Sequence, residues 1–368
     1  MDIGYFLKLM TEKGASDMFL STGAPVNIKV EGKLYPLGST GLPHGMVKRI
    51  AYSLMDEAQV PLFERDLEMN LATAVKDAGR FRINIFKQRG EVGMVIRAIK
   101  SVIPTLEELQ LPQLFCDLVM EPRGLVLVVG ASGSGKSTTL ASMIDYRNIQ
   151  QPGHILTVED PIEYLHRHKK SVVNQREVGL DTHSFHDALR NAMREAPDVI
   201  MIGEIRDTET MEAAIAFCET GHLCLATLHS SNADQTLDRI MNFFPEVAHR
   251  NVLMNLALNL RAVISQRLVM GKDGRRMPAV EVLLNTPMIR DLIRRGQVHE
   301  IKEAMDRSLI EGVQTFDQSL MKLYRDGRID LEEALSKADS RDGLALKIRL
   351  GEGLDDVAAL DTFSMPAL

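Results

Sequence analysis

The sequence predicts an α/β protein whose main domain is built around a parallel-rich β-sheet. Between residues 125 and 229, the apolar runs LVLVVG, HILTVED, VIMIGEI and LCLATLH alternate with stretches of helical periodicity. Short, fully apolar strands that alternate with helices are typical of a parallel sheet with crossover helices. A smaller α+β domain is predicted before this sheet, and a helical region after it.

Residues 1–100 have a different pattern, in which short strand-like runs alternate with turns. The runs SDMFLST, VNIKVEGKLYPL, GRFRINIFKQRG and GMVIRAIK are predicted strands, and VKRIAYSLM has helical spacing. Residues 101–122 contain three prolines and are predicted to form a linker with a short helix inside it.

The main domain is predicted over residues 123–285, and two of its helices have candidate N-caps in Ser184 and Asn232. After about residue 231 the pattern is mostly helical, which predicts a C-terminal helical region over 286–350. That region opens on TPMIRDLIRRG, with a threonine cap, a proline in the first turn and a glycine stop. The acidic and weakly patterned residues 351–368 are predicted to be a disordered tail.

Composition excludes several classes of protein. The chain has 368 residues and a net charge of -7, which argues against a protein that mainly binds nucleic acid. Cys116, Cys218 and Cys224 are odd in number and widely spaced, so a reducing compartment is expected. The sequence shows no signal peptide and no apolar run of about 18 residues. We therefore expect a cytoplasmic protein that works at a membrane only through partners.

The segment GASGSGKST, residues 130–138, is predicted to bind nucleotide phosphates. It matches the pattern G-x-x-x-x-G-K-[ST] and stands directly after a predicted strand and before a predicted helix. Its glycines let backbone N–H groups turn toward phosphate oxygens, and the following helix adds the positive end of its dipole. The predicted nucleotide-binding residues here are Ser132, Gly133, Ser134, Gly135, Lys136, Ser137 and Thr138.

Polar residues follow the other apolar runs, at the sheet edge where parallel sheets bind ligands. Glu163 comes after ILTV and is a candidate to orient or deprotonate an attacking water. Glu204 comes after VIMI and is a candidate ligand of Mg²⁺, together with the Ser137 hydroxyl. His229 comes after LCLATL and is predicted to hydrogen-bond the γ-phosphate as a sensor.

The stretch GHLCLATLHSS, residues 221–231, also contains His222 and Cys224. A shared metal ion is disfavoured, because His222 precedes the strand and His229 ends it, several residues away. Cys224 is predicted to be core. His222 is either a further nucleotide-binding residue or a structural hydrogen-bonding group, and both interpretations stay open.

Four motifs in order resemble the secretion ATPases of the GspE superfamily, and within them the PilT/PilU family of type IV pilus retraction motors. The loop at 130–138 resembles Walker A, and TVEDPIE at 157–163 resembles the Asp box. APDVIMIGEIRD at 196–207 resembles Walker B, with Glu204 in place of the usual aspartate. ETGHLCLATLHSSNA at 219–233 resembles the His box.

The resemblance implies a RecA-like P-loop ATPase core, a PAS-like N-terminal domain and a homo-hexameric ring that hydrolyses ATP with Mg²⁺. It also implies arginines from the N-terminal domain at the site. The candidates are Arg82 and Arg97, with Arg80 and Arg89 as alternatives. A second motor of the same family and the inner-membrane pilus platform protein are the expected partners.

Two departures refine this expectation. The retraction motors' helical motif AIRNLIRE is MIRDLIRR here, residues 288–295, which favours a motor that acts alongside another. The extra N-terminal domain and four-cysteine zinc module typical of assembly ATPases are not found, which favours retraction over extension. The alternatives are a nucleic-acid-translocating motor, with HRHKK and RDLIRR as basic patches, and a ring subunit that binds nucleotide passively.

Overall fold

The computed structural model describes residues 3–76 and 78–360, with side chains described as far as residue 350. The chain divides into two compact units. The first contains the residues up to Ile103 together with 159–167 and 175–188, and the second contains the rest.

The first unit is built on a six-stranded antiparallel sheet with strand order β3-β2-β1-β6-β5-β4. Its buried core includes Met18, Phe63, Phe81 and Ile83. Its elements are α1 (Ile3–Glu12), β1 (Asp17–Leu20), β2 (Val26–Val30), β3 (Lys33–Leu37), α2 (Met46–Leu54), α3 (Gln59–Asp66), β4 (Glu68–Val75), β5 (Gly79–Gln88) and β6 (Glu91–Ile99). The predicted strands of this α+β domain are present, and α1 and β4 were not predicted.

The second unit contains most of a seven-stranded sheet with strand order β13-β12-β7-β11-β10-β8-β9, and the last residues of one edge strand, 175–177, fall in the first unit. From α4 onward the elements are α4 (Leu114–Met120), β7 (Gly124–Val129), α5 (Lys136–Gln150), β8 (Gly153–Glu159), β9 (Ser171–Glu177), α6 (Phe185–Ala192), β10 (Val199–Ile202), α7 (Thr208–Glu219), β11 (Leu223–Leu228), α8 (Ala233–Met241), α9 (His249–Asn259), β12 (Leu260–Met270), β13 (Arg276–Leu284), α10 (Pro287–Arg295), α11 (Ile301–Asp306), α12 (Phe316–Arg325), α13 (Leu331–Lys337) and α14 (Arg341–Leu360).

Strands β12, β7, β11, β10 and β8 pair in parallel, which confirms the predicted parallel-rich sheet. Every residue of β7, β10 and β11 is buried. Strands covered on both faces have to be apolar throughout, and this is why the four apolar runs are continuous rather than alternating.

The hairpin β12–β13 corrects the prediction that the chain is mostly helical after residue 231. These antiparallel strands have 11 and 9 residues and pair over nearly their full length. Buried polar residues such as Gln266 and Glu281 interrupt the apolar pattern that would have revealed them. The signal that remains is the Asp273–Gly274 turn between them, in which Gly274 has a φ of 76°.

The predicted helix boundaries are confirmed. The side chain of Ser184 accepts a hydrogen bond from the Asp187 N–H, and that of Asn232 accepts from the Gln235 N–H. Three predicted residues mark the ends of α10: Thr286 is the N-cap, Pro287 lies in the first turn, and Gly296 ends the helix at a φ of 72°.

Two predicted segments are more ordered than the sequence indicated. From Pro104 onward the predicted linker belongs to the second unit, because Phe115 and Val119 of α4 are buried in its core. Helix α14 continues to Leu360 and so takes in the first ten residues of the predicted tail. The helix continues although glycines at 343, 351 and 353 disfavour it, and no proline interrupts the chain between Arg341 and Leu360. Residues 361–368 lie outside the described part of the chain.

Candidate nucleotide site

The phosphate loop joins the end of β7 to the start of α5. Gly135 has a φ of 94° and directly precedes α5, and its absent side chain makes room for β12. A Cβ on Gly135 would lie 2.7 Å from Gln266 Nε2, and one on Gly130 would lie 2.5 Å from the Gln266 carbonyl oxygen. Glycine is therefore required at both positions, for the backbone angle and for this close approach.

Lys136 is the first residue of α5 and lies almost fully buried against the loop. Its Nζ donates hydrogen bonds to the carbonyl oxygens of Gly130 and Ala131, at 2.8 and 3.0 Å. The buried Ser134 hydroxyl has no hydrogen-bond partner among the described residues. Together with the positive end of α5, these groups form a place where an anion such as a phosphate would be stabilised.

A cavity of about 520 Å³ opens beside the loop. Gly135, Thr138 and Thr139 line one side, and Leu268 and Met277 of the β12–β13 hairpin line another. A pocket of this size, with both apolar and polar side chains in its walls and a phosphate site beside it, suits the base and sugar of a nucleotide. The sequence did not reveal it, because the hairpin that forms its wall was not predicted.

The structure brings Glu204 and His229 together. They follow the neighbouring parallel strands β10 and β11, and His229 Nε2 lies 3.3 Å from Glu204 Oε1. The other carboxylate oxygen of Glu204 accepts a hydrogen bond from Arg206 Nε at 2.8 Å. Leu228 pairs with Val129, the last residue of β7. His229 therefore lies level with Gly130, where the phosphate loop begins.

Thr227 holds the ends of these two strands in place. Its hydroxyl donates to the Gly203 carbonyl at 2.5 Å, and its own carbonyl accepts from the Ile205 N–H at 2.9 Å. These bonds fix the backbone on both sides of Glu204. Sequence reasoning missed Thr227, since a threonine inside an apolar strand gives no separate signal.

His222 lies apart from the other predicted nucleotide-binding residues. It precedes β11 at the end opposite the phosphate loop, where its carbonyl accepts from the Gly124 N–H. The length of β11 places it roughly 20 Å from His229. Its Nδ1 lies 3.0 Å from the Thr220 hydroxyl and 3.1 Å from the Phe217 carbonyl oxygen. His222 therefore fits the structural hydrogen-bonding role, while Cys224 is fully buried, as predicted for a core residue.

Glu163 lies in the first unit on the loop after β8. Its side chain is exposed, and its carbonyl oxygen accepts a hydrogen bond from the Lys100 N–H at 3.3 Å. The neighbouring Ile162 N–H donates to Glu177 Oε2 at 3.2 Å. The loop backbone is thus held on both sides of Glu163, while the carboxylate stays accessible.

Arg82 and Arg97 pair directly across β5 and β6, also in the first unit. Arg82 Nη1 lies 3.6 Å from Glu177 Oε1, and Arg97 Nε donates to Asp17 Oδ1 at 2.8 Å. Burial raises the pKa of Glu177, against the opposing effects of the Ile162 N–H and of the charges on Arg82 and Arg80.

The two alternative arginines differ in position. Arg80 lies two residues before Arg82 on β5 and therefore on the same face, and its buried Nε has no hydrogen-bond partner among the described residues. Arg89 lies in the turn between β5 and β6, with a φ of 51°. The structure thus groups Arg80, Arg82 and Arg97 and leaves Arg89 apart.

A phosphate loop between a buried parallel strand and a helix, with a carboxylate and a histidine at the ends of the next two strands, defines the class of P-loop nucleoside triphosphatases. The family described as "Type II/IV secretion system protein" matches residues 3–341. The chain belongs to this family and is an ATPase. Among the described residues, no helix is long and apolar enough to span a bilayer.

Two curated relatives come from Pseudomonas aeruginosa. The type IV pilus ATPase PilU is 52% identical over 96% of this chain and 93% of its own length. PilT, a type IV pilus retraction ATPase, is 44% identical over 92% of this chain and 98% of its own length.

The crystal structure of the pilus retraction motor PilT with bound ADP superposes with a TM-score of 0.87. It is 42% identical and covers 93% of this chain and 98% of its own. The resemblance to secretion ATPases and the RecA-like fold that it implied are therefore confirmed.

Proposed function

We propose that this chain is a motor that hydrolyses ATP to power type IV pilus retraction, as in twitching motility, and that it is of the PilU type. The observation that carries the proposal is the Glu204–His229 pair at the phosphate loop, in a chain 52% identical to PilU over 96% of its length. The identity to PilT is lower, at 44%, and supports PilU over PilT.

Each site residue is assigned one role in hydrolysis. Lys136 lies at the loop where it can neutralise the β- and γ-phosphates, and residues 132–138 supply backbone N–H groups to them. Glu163 has an exposed carboxylate that can accept a proton from the attacking water. His229 is the γ-phosphate sensor, since its Nε2 can exchange the Glu204 oxygen for a phosphate oxygen.

Mg²⁺ fits the donors at this site. The Ser137 hydroxyl and the Glu204 carboxylate are hard oxygen ligands, the type that Mg²⁺ prefers. When bound, the ion would neutralise charge that develops on the β- and γ-phosphates. Arg206 holds one oxygen of the Glu204 carboxylate, and the other oxygen would be free for the ion once His229 turns to the phosphate.

The assembly is proposed to be a homo-hexameric ring at the cytoplasmic side of the inner membrane, at the base of the pilus machine. PilT and the inner-membrane platform protein are its proposed partners, and the first unit is proposed to be the PAS-like domain. Arg82 and Arg97 are proposed to act on bound nucleotide in the same or a neighbouring subunit. Their pairing across β5 and β6 supports a joint role.

A nucleic-acid motor is not favoured by the basic patches. Lys169 of HRHKK pairs with Asp145 at 2.8 Å, and Arg294 and Arg295 of RDLIRR both pair with Asp291, at 2.9 and 2.7 Å. Part of the positive charge of each patch is therefore paired within the chain and is less available to the phosphates of a nucleic acid. A passive ring subunit is not favoured either, since the catalytic candidates are all present.

The test is Lys136→Ala in cells that carry only this form, with surface piliation counted and retraction scored under load. Normal or excess pili with weakened retraction would support an accessory retraction motor. Too few pili would mean that the protein assembles them, and the proposal would be wrong. Lys8→Ala, at an exposed position on α1, is the matched control and should behave as wild type.

A further inference from the structure

Strand β12 passes beside the phosphate loop with three consecutive polar residues, Ser265, Gln266 and Arg267. Side chains of successive strand residues point to opposite faces. Gln266 therefore projects to one side of the strand, and Ser265 and Arg267 project to the other. The two sides contact different parts of the nucleotide site.

Gln266 bridges the phosphate loop and the first turn of α5. Its side-chain amide is buried, its Nε2 donates to the Ser134 carbonyl at 2.8 Å, and its Oε1 accepts from the Thr139 hydroxyl at 2.8 Å. Ser134 and Thr139 lie on either side of Lys136 in the sequence. A buried polar group that loses its hydrogen-bond partner raises the free energy of the folded chain, so these bonds hold the loop in one position.

The opposite side of β12 contacts the segment directly after His229. Ser265 Oγ donates to Glu281 Oε1 at 3.0 Å, and the same oxygen accepts from the Ala233 N–H at 2.7 Å, at the start of α8. Arg267 Nη2 donates to the Ser231 carbonyl at 3.4 Å. Residues 231–233 are therefore fastened to the β12–β13 hairpin, Ser231 through Arg267 and Ala233 through Glu281.

Arg267 also contacts the C-terminal helices. Its guanidinium lies 2.6 Å from Asp339 Oδ1, donates to the Lys337 carbonyl at 2.8 Å, and stands 3.8 Å from the centre of the Phe316 ring on α12. A planar guanidinium can make several such contacts at once, which a point charge cannot. One side chain thus joins the segment after His229 to α12 and to the end of α13.

We propose that Gln266 and Arg267 are positioning residues of the ATPase site. Gln266 holds the phosphate loop in its binding geometry. Arg267 holds the segment that carries His229 and links it to the C-terminal helices. The second half of this proposal rests on the proposed role of His229 as the γ-phosphate sensor. Neighbouring residues of one strand then serve two functions, nucleotide affinity and discrimination between ATP and ADP.

The test uses the full-length chain with Gln266→Ala and Arg267→Ala. Dissociation constants for fluorescent N-methylanthraniloyl ATP and ADP are measured, together with kcat for ATP. Gln266→Ala should weaken the binding of both nucleotides alike by at least about tenfold, because it removes both of the buried hydrogen bonds that hold the loop. Arg267→Ala should leave ADP affinity unchanged, lower kcat by about tenfold and reduce the preference for ATP over ADP.

Two controls distinguish a failure of the sensor role of His229 from a failure of the positioning role of Arg267. Arg261→Ala changes the same residue type on the same strand, at 28% side-chain exposure against 25% for Arg267, and should match wild type. His229→Ala should lose the preference for ATP. If it keeps that preference, the proposed sensor role fails. If His229→Ala loses the preference and Arg267→Ala keeps it, the positioning role of Arg267 is refuted.

Conservative variants keep the test decisive if an alanine variant does not fold. Arg267→Lys retains a charge beside Asp339 and should restore part of the preference for ATP. Gln266→Glu keeps the acceptor for Thr139 but sets a carboxylate oxygen against the Ser134 carbonyl, so both nucleotides should bind at least about tenfold more weakly. The proposal would be overturned if the Gln266 and Arg267 variants all changed affinity and kcat in the same way. It would also be overturned if none of them differed from Arg261→Ala.

Discussion

Glu281 should make the stability of this protein fall as pH rises from acid to neutral. The side chain is 2% exposed, and its Oε1 accepts from the Ala233 N–H and from Ser265. Burial raises its pKa to about 7, although these two hydrogen bonds oppose the rise, and the negative charges of Asp339 and Asp234 add to it.

The magnitude follows from linkage between protonation and folding. The pKa is about 7 in the folded chain against 4.5 for an ordinary glutamate. Between these values the folded chain holds a proton that the unfolded chain has released, so the free energy of unfolding decreases as pH rises. At 1.36 kcal/mol for each pH unit, the free energy of unfolding is lowered by roughly 3 kcal/mol in total, and this full loss is present above pH ~7.

Glu281→Gln removes this cost, because an amide resembles the protonated carboxyl and keeps an oxygen for both donors. In thermal unfolding, the Tm of the variant should exceed that of wild type by roughly 5 °C at pH 8 and by less than ~2 °C at pH 5. Glu332→Gln, at an exposed position of α13, is the matched control and should show no pH-dependent difference. A constant Tm difference at all pH values, or a less stable Glu281→Gln variant at pH 8, would refute the reasoning.

Three further predictions concern the site and the core. Glu163→Gln should bind ATP normally and hydrolyse it at least about 100-fold more slowly, as expected when a general base is lost; equal turnover in a phosphate-release assay would contradict that role. Gly135→Ala should abolish nucleotide binding in a fluorescence titration, since its Cβ would lie 2.7 Å from Gln266 Nε2 at a φ of 94°; normal binding would mean that β12 can move away. Arg147→Ala should cost about 3 kcal/mol in denaturant unfolding, because it strips the buried Val119 carbonyl of its 2.7 Å donor; a loss under ~0.5 kcal/mol would mean that the core closes over the gap.

The parts of the site formed by neighbouring residues in the chain could be read from the sequence. The phosphate loop, the caps at Asn232 and Thr286 and the end of the α10 helix at Gly296 depend on backbone angles and hydrogen bonds that span a few residues. Residue type and spacing determine such features directly. The rule that ligands gather at the carboxyl ends of parallel strands likewise predicted that Glu204 and His229 would lie close together.

Strand direction separates His222 from the phosphate loop. The sequence placed His222 before an apolar strand that His229 follows, and the rule for the carboxyl ends of parallel strands favoured His229 only if this strand was parallel to the one before the loop. The parallel pairing of β11 with β7 places Leu228 beside Val129 and Leu223 beside Gly124. Only His229 can then reach the phosphate loop within this chain, and His222 is left at the other end of the sheet.

The sequence by itself determined the class of fold, the nucleotide it binds and the residues that lie along one stretch of chain at the phosphate loop. Tertiary structure alone decided which distant residues support them. Gln266 is more than 120 positions from Ser134 and Thr139, and Arg82 meets Glu177 across nearly a hundred. The Gln266 contacts form because strand order places β12 beside β7, whereas Arg82 and Glu177 lie on strands of different sheets. A buried glutamine or glutamate gives no periodic signal that would reveal its partner beforehand.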